Sequence, residues 1–161
     1  MVKKENVMKK RNVFILSIIL TLAAGGISAW LSGNMTSFEQ IRKPFLTPPS
    51  ALFPIVWTVL YVLMAVGVSI IITSGGDDNE KGLCITIYVI QLLFNFMWSI
   101  WFFKINAFLF AFIWLCIMLG FIIAMTVCFL KISKIAAYIQ IPYIIWTAFA
   151  GYLNFAVYLI N

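Results

Sequence analysis

Five long apolar runs dominate the chain, at 13–31, 51–73, 83–103, 105–130 and 135–160, separated by short polar or proline-rich segments. Crossing a hydrocarbon core of about 30 Å takes roughly 20 apolar residues in helical form, so each run predicts a transmembrane helix. The alternating ten-residue segments of a membrane β-barrel are absent, and helices satisfy the backbone within each span. The predicted fold is an all-α membrane protein: one five-transmembrane-helix bundle occupying residues 1–161.

Polar and aromatic positions inside the runs fall on helical stripes. In the second run Phe53, Trp57, Tyr61 and Met64 recur at i, i+4, i+8 and i+11. In the third, Gln91, Asn95, Trp98 and Phe102 recur at i, i+4, i+7 and i+11, with Ser99 beside them. The fifth places Tyr143, Thr147, Ala150 and Asn154 on one stripe with Trp146 at its edge, and Pro142 predicts a kink by leaving the Tyr138 carbonyl unpaired. Amides in hydrocarbon must find partners, so these stripes face the bundle interior, either as interhelical hydrogen bonding or as contacts to a ligand. The first run carries Ser17, Thr21, Gly25, Ser28 and Ala29, small residues that read as a helix-packing face.

The connectors differ in kind. Pro44, Pro48 and Pro49 predict extended chain over 43–50, with the next helix capped by Ser50 and Pro54 in its first turn. The longer segment 32–49 is rich in apolar residues (Met35, Phe38, Ile41, Phe45, Leu46) and reads as a lid folded onto the bundle. The 74–82 segment, SGGDDNEKG, reads as a solvated turn, and its acidic residues lack the spacing of a calcium loop.

Composition strengthens the membrane assignment: 64% of residues are hydrophobic and only 10% charged. Eight basic residues (Lys3, Lys4, Lys9, Lys10, Arg11, Lys81, Lys131, Lys134) fall on one side and three (Arg42, Lys43, Lys104) on the other. That asymmetry predicts an N-terminus in the cytoplasm and a C-terminus outside, with the first run retained as a signal anchor in a cell membrane. The net charge of +6 then sits beside an anionic leaflet and needs no nucleic-acid partner. Cys84, Cys116 and Cys128 lie in apolar runs without CxxC spacing and are expected to be buried free thiols.

Candidate chemistry is narrowed by what the chain lacks. With no histidine, and with its five carboxylates (Glu5, Glu39, Asp77, Asp78, Glu80) outside the runs, it has no Ser-His or Cys-His nucleophile, no imidazole metal site and no intramembrane carboxylate relay. No metal or resident cofactor is expected. What remains is a hollow of aromatic faces with a few neutral hydrogen-bonding tips, suited to a large, flat, hydrophobic ligand.

Three motifs, in order, carry a resemblance over nearly the whole chain: KPxxxPP at 43–49 leading to WxxLY at 57–61, NxxWxxxFF at 95–103, and QxPYxxWxxFAxYLN at 140–154. In these the sequence resembles the translocator protein family (TspO/MBR, the tryptophan-rich sensory proteins and peripheral benzodiazepine receptors), as a bacterial-type member. The resemblance implies a five-helix bundle, usually homodimeric, whose cavity under the first long loop binds porphyrins and isoquinoline-carboxamide or benzodiazepine-type ligands. Carried to matching positions, it implies a cavity of Trp57, Tyr61, Asn95, Trp98, Trp146, Ala150 and Leu153, with Pro48 and Pro49 in the lid; Phe53 and Tyr143 join them from the helical stripes. Regulation of tetrapyrrole handling is the function it implies. An alternative is light-dependent porphyrin degradation with Trp57 and Trp146 as redox-active groups, and another is passive transport of hydrophobic ligands or sterols. Two departures bear on this. Leu46 stands where the family commonly has tryptophan, and no Lys or Arg follows Lys134, so the basic residue of the sterol-recognition pattern is missing.

Overall fold

The computed structural model describes residues 2–33, 41–75 and 77–161, with side chains from Val7 onward. Helix α1 spans Val2–Leu31, α2 Leu52–Ile72 and α3 Asp78–Ser99, which widens into a π-helical turn at Ile100–Lys104. Then come α4 at Phe108–Ile132, a short α5 at Lys134–Tyr138 and α6 at Ile141–Ile160. With the π turn joined to α3 and α5 to α6, five helical segments are long and apolar enough to cross a membrane. They form a closed ring, α1 against α2, α2 against α5, the α5/α6 unit against α4, α4 against α3 and α3 back against α1.

Several ends depart from expectation for local reasons. Helix α2 is preceded by Ala51 with no side-chain cap; Ser50 instead accepts a turn hydrogen bond from the Phe53 amide through its carbonyl. The proline segment is not uniformly extended, because Pro44–Thr47 closes a turn in which both the amide and the hydroxyl of Thr47 donate to the Pro44 carbonyl. The polar 74–82 segment is partly helical: Asp77 caps α3, its Oδ2 accepting from the amides of Asn79 (3.0 Å) and Glu80 (3.1 Å). Its acidic residues therefore serve a helix N-terminus, where negative charge is favoured. Between the π turn and α4, Asn106 adopts the left-handed conformation that asparagine tolerates (φ 56°).

Near Pro142 the last span is interrupted by a two-residue turn, Ile139–Gln140, both residues staying in the right-handed helical region. The α5 helix stops at Tyr138 and α6 restarts at Ile141 with the proline in its first turn, where a missing N–H costs nothing. Gln140, in that turn, is fully buried and donates to the carbonyls of Leu63 and Ala136, both at 3.2 Å. Its amide lies over Gly67 of α2, where any Cβ would overlap it. The small residue and the amide thus fix α5 against α2, while α6 beyond the turn diverges from α2.

The cysteine expectation is corrected. Cys84, in the second turn of α3, and Cys128, near the end of α4, are joined in a disulfide with Cα atoms 5.6 Å apart; only Cys116 is free, and it is exposed. Sequence spacing gave no sign of the pair, because they sit on antiparallel helices 44 residues apart.

Candidate functional site

A hollow of about 130 Å³ opens between the C-terminal half of α1, the N-terminal half of α2 and the C-terminal half of α3, at the connector end of the bundle. Phe53, Trp57 and Tyr61 enter it from successive turns of α2; Asn95 and Trp98 enter from α3, with Phe103 from the π turn. The third wall is Gly25, Ala29 and Ser32 of α1. Gly25 is needed there, since a Cβ would overlap the ring of Tyr61.

Beneath the hollow runs a hydrogen-bonded chain across three helices. Tyr61 donates its hydroxyl to Asn95 Oδ1 (2.6 Å), and Asn95 Nδ2 donates to the Tyr143 hydroxyl (2.8 Å). Tyr143 in turn donates to Gln91 Oε1 (2.9 Å), and the Gln91 amide contacts the sulfur of Met64 at 3.5 Å. Because its proton is committed to Asn95, the Tyr61 oxygen is left as an acceptor. Trp98 donates its indole N–H to Asn154 Oδ1 (3.0 Å), so what it offers the hollow is ring surface. Asn154 Nδ2 donates to the Phe108 carbonyl (2.9 Å), tying α6 to the start of α4. Trp57 is the aromatic hub, with ring centroids 6.0 Å from Tyr61, 5.7 Å from Trp98 and 6.2 Å from Tyr143.

The α6 residues lie elsewhere. Ala150 and Leu153 line a second, smaller hollow of about 20 Å³ that shares Phe53, Trp98 and Phe103 with the first, so these three rings partition the two spaces. Trp146 packs edge-on against Phe53 (5.9 Å) and faces an open apolar groove between α2 and α6, with Ile55, Val59, Pro142, Ile145 and Phe149. Its indole nitrogen and the Thr147 hydroxyl are buried without a hydrogen-bond partner among the described residues. Tyr143 is 0% exposed and supports Asn95 from below instead of lining the space.

Over its described residues 41–49 the connector leaves several side chains open. Phe45 is 98% and Leu46 55% exposed; Pro49 is exposed, Pro48 half-buried, and neither lines the main hollow. Of its apolar residues, Ile41 packs on the core, while Met35 and Phe38 lie outside the described residues. The connector is held from the other end of the chain: the Arg42 amide donates to Asn161 Oδ1 (2.9 Å), and Asn161 Nδ2 donates to the Arg42 carbonyl (3.1 Å).

The α1 wall includes Gly25 and Ala29, which the sequence marks chiefly as a packing face and only secondarily as pocket lining, together with Ser32, which the sequence does not single out. Gly25, Ala29 and Ser32 do recur at i, i+4 and i+7, a spacing that suits either a helix contact or a cavity wall. Part of the same stripe is a helix contact, since Ser28 bonds Ser99 and the Phe96 carbonyl and Thr21 bonds Tyr88. Chemically, the hollow combines ring faces, hydroxyls and one amide, with no charged side chain in its lining.

Comparison with known proteins agrees with the motifs. The chain is 32% identical over 148 residues to the Tryptophan-rich protein TspO of Chlorobaculum tepidum, covering 91% of this chain and 94% of that one. It is 34% identical to the Tryptophan-rich protein TspO of Archaeoglobus fulgidus over 149 residues (91% and 95%), and 31% identical to the human Translocator protein over 122 residues (75% and 72%). The TspO/MBR family profile matches residues 17–159, and the chain belongs to that family.

Proposed function

We propose that the protein binds a flat, hydrophobic tetrapyrrole of the protoporphyrin type between α1, α2 and α3, and that binding regulates tetrapyrrole handling, with the basic-rich end of the bundle in the cytoplasm. The observation carrying this reading is the convergence of Trp57, Tyr61, Asn95 and Trp98 on one uncharged hollow. At about 130 Å³ that hollow is smaller than the 300–1,000 Å³ typical of sites for such ligands. A macrocycle therefore enters by displacing the partition rings Phe53, Trp98 and Phe103, which joins the two hollows and brings Ala150 and Leu153 into contact. Synthetic isoquinoline-carboxamide or benzodiazepine-type ligands would occupy the same space.

Titration of purified protein in detergent with protoporphyrin, following tryptophan fluorescence, tests this. Saturable quenching is expected, weakened at least tenfold in concentration by Trp57→Ala. Quenching no stronger than in an unrelated membrane protein would rule the reading out.

A second reading, photo-oxidative degradation of the bound porphyrin, is favoured by the ring contacts of Trp57 with Trp98, Tyr61 and Tyr143. In this arrangement Trp57 is the electron donor next to ligand, and Trp146 lies behind Phe53. Illuminated Trp57→Phe should retain binding and bleach porphyrin more slowly, with Trp146→Phe less affected. Equal bleaching by wild type and Trp57→Phe would exclude that role.

A further inference from the structure

The Cys84–Cys128 bond lies at the end of the bundle remote from the hollow. Cys84 is seven residues past the Asp77 cap and Cys128 four before the end of α4, about 10 Å and about 6 Å of helix from the respective ends. Those same ends carry Lys81, Lys131 and Lys134, and the basic-rich side is the one that faces the cytoplasm in the orientation proposed above. Glutathione and thioredoxin systems keep thiols reduced there, and a disulfide in that compartment is characteristically transient. The pair is nevertheless ready to close, with Cα atoms 5.6 Å apart on two tightly packed helices.

We propose that Cys84 and Cys128 are a reversible oxidation site, a dithiol that peroxide converts to the disulfide and cytoplasmic thiol reductants restore. One sulfur attacks peroxide, its O–O bond breaks, and sulfenic acid and water form. The second thiol then displaces the sulfenic oxygen as a second water, closing the S–S bond. Two electrons pass from the sulfurs to one peroxide. Peroxide, being small and uncharged, reaches a pair whose members are 0% and 7% exposed. Reduction proceeds by thiolate attack on Cys128, the less buried partner, which releases Cys84 as thiolate, followed by attack of a second thiolate on the mixed disulfide.

Closure matters to the rest of the fold through α3. Cys84, Tyr88, Gln91, Asn95 and Trp98 form one buried stripe along that helix. A covalent tie at its base fixes the rotational setting that delivers Gln91 and Asn95 to Tyr143 and Tyr61.

This inference rests on the cytoplasmic placement of the basic end, so the test reads the two separately. Cells expressing Cys116→Ser are acid-quenched, denatured and alkylated with a maleimide of known mass, and the intact protein is weighed. Untreated cells should give two adducts, peroxide should take the count to none, and peroxide removal should return it to two. No adducts in untreated cells, or two adducts throughout peroxide treatment, would overturn the proposal. Wild-type chain, with its third cysteine, gives the same reading as three adducts against one, so the result does not depend on the variant folding. Orientation is read independently by adding Asn79→Cys and exposing whole cells to a membrane-impermeant maleimide. Labelling from outside would overturn the placement, whereas the adduct count alone decides the redox chemistry.

Discussion

Asn95 is the residue on which the site turns, because its amide holds Tyr61 with one atom and Tyr143 with the other. Replacing it by leucine strands the Tyr61 hydroxyl and removes one of the two partners of the Tyr143 hydroxyl, which keeps its bond to Gln91. Hydrogen bonds between helices in membranes average about 0.6 kcal/mol, so Asn95→Leu should lower stability by about 1–2 kcal/mol and Tyr61→Phe by about half that. Thermal or denaturant unfolding in detergent measures both, and identical stabilities for Asn95→Leu and wild type would show the chain to be energetically idle. Gly25→Ala acts on the same tyrosine from the opposite side. Overpacking costs about 1–3 kcal/mol, and the displaced Tyr61 ring should also weaken ligand binding about tenfold, which the fluorescence titration would register. The second- and third-helix residues of this cluster were legible in the sequence because a polar tip in an apolar run has few other uses. Gly25 was not: a glycine's contribution here is the absence of a Cβ opposite a ring on another helix, and nothing local encodes that.

At the level of elements, helix existence was readable and helix ends were not. Length and apolarity fix the number of spans, whereas an end depends on which donors and acceptors happen to be near. Asp77 starts α3 six residues before the apolar run's first residue because its carboxylate reaches two orphan amides. Pro142 was a visible signal of a disturbed last helix; that the turn before it sets the Gln140 amide over Gly67, on the carbonyls of Leu63 and Ala136, was not. Gly67→Ala should therefore destabilise the α2–α5 contact by about 1–3 kcal/mol while leaving the hollow's residues in place. A matching loss of ligand affinity at temperatures where the variant is fully folded would contradict that separation. A long-range pair of hydrogen bonds, Asn161 with the backbone of Arg42, clamps the connector. In Asn161→Ala, limited proteolysis within 41–50 should speed up severalfold with little change in melting temperature; unchanged cleavage would mean the clamp does not restrain the connector.

For the whole molecule, the ring of helices gives two chemically distinct ends. One holds an aromatic hollow with no charged side chain among the described residues of its lining, and the other holds most of the basic residues and the Cys84–Cys128 pair. Since no carboxylate, lysine or arginine among the described residues lines the hollow, affinity for a ligand without ionisable groups should be flat between about pH 6 and pH 8, as an equilibrium titration across that range would establish. A titration step would mean that a charged group outside the lining takes part. The spacing left open whether the stripes of Trp57, Tyr61, Asn95 and Trp98 pack between helices or face a cavity; the structure puts all four on the hollow. The stripes did not foretell that Trp146 lies behind Phe53, a relation between two helices that the spacing within one does not encode. The most direct measurement is an experimental structure with protoporphyrin bound. Ligand density between Trp57, Tyr61, Asn95 and Trp98, with Phe53 and Phe103 moved aside, is the predicted result; density confined to the α2–α6 groove, with the hollow still closed, would contradict it.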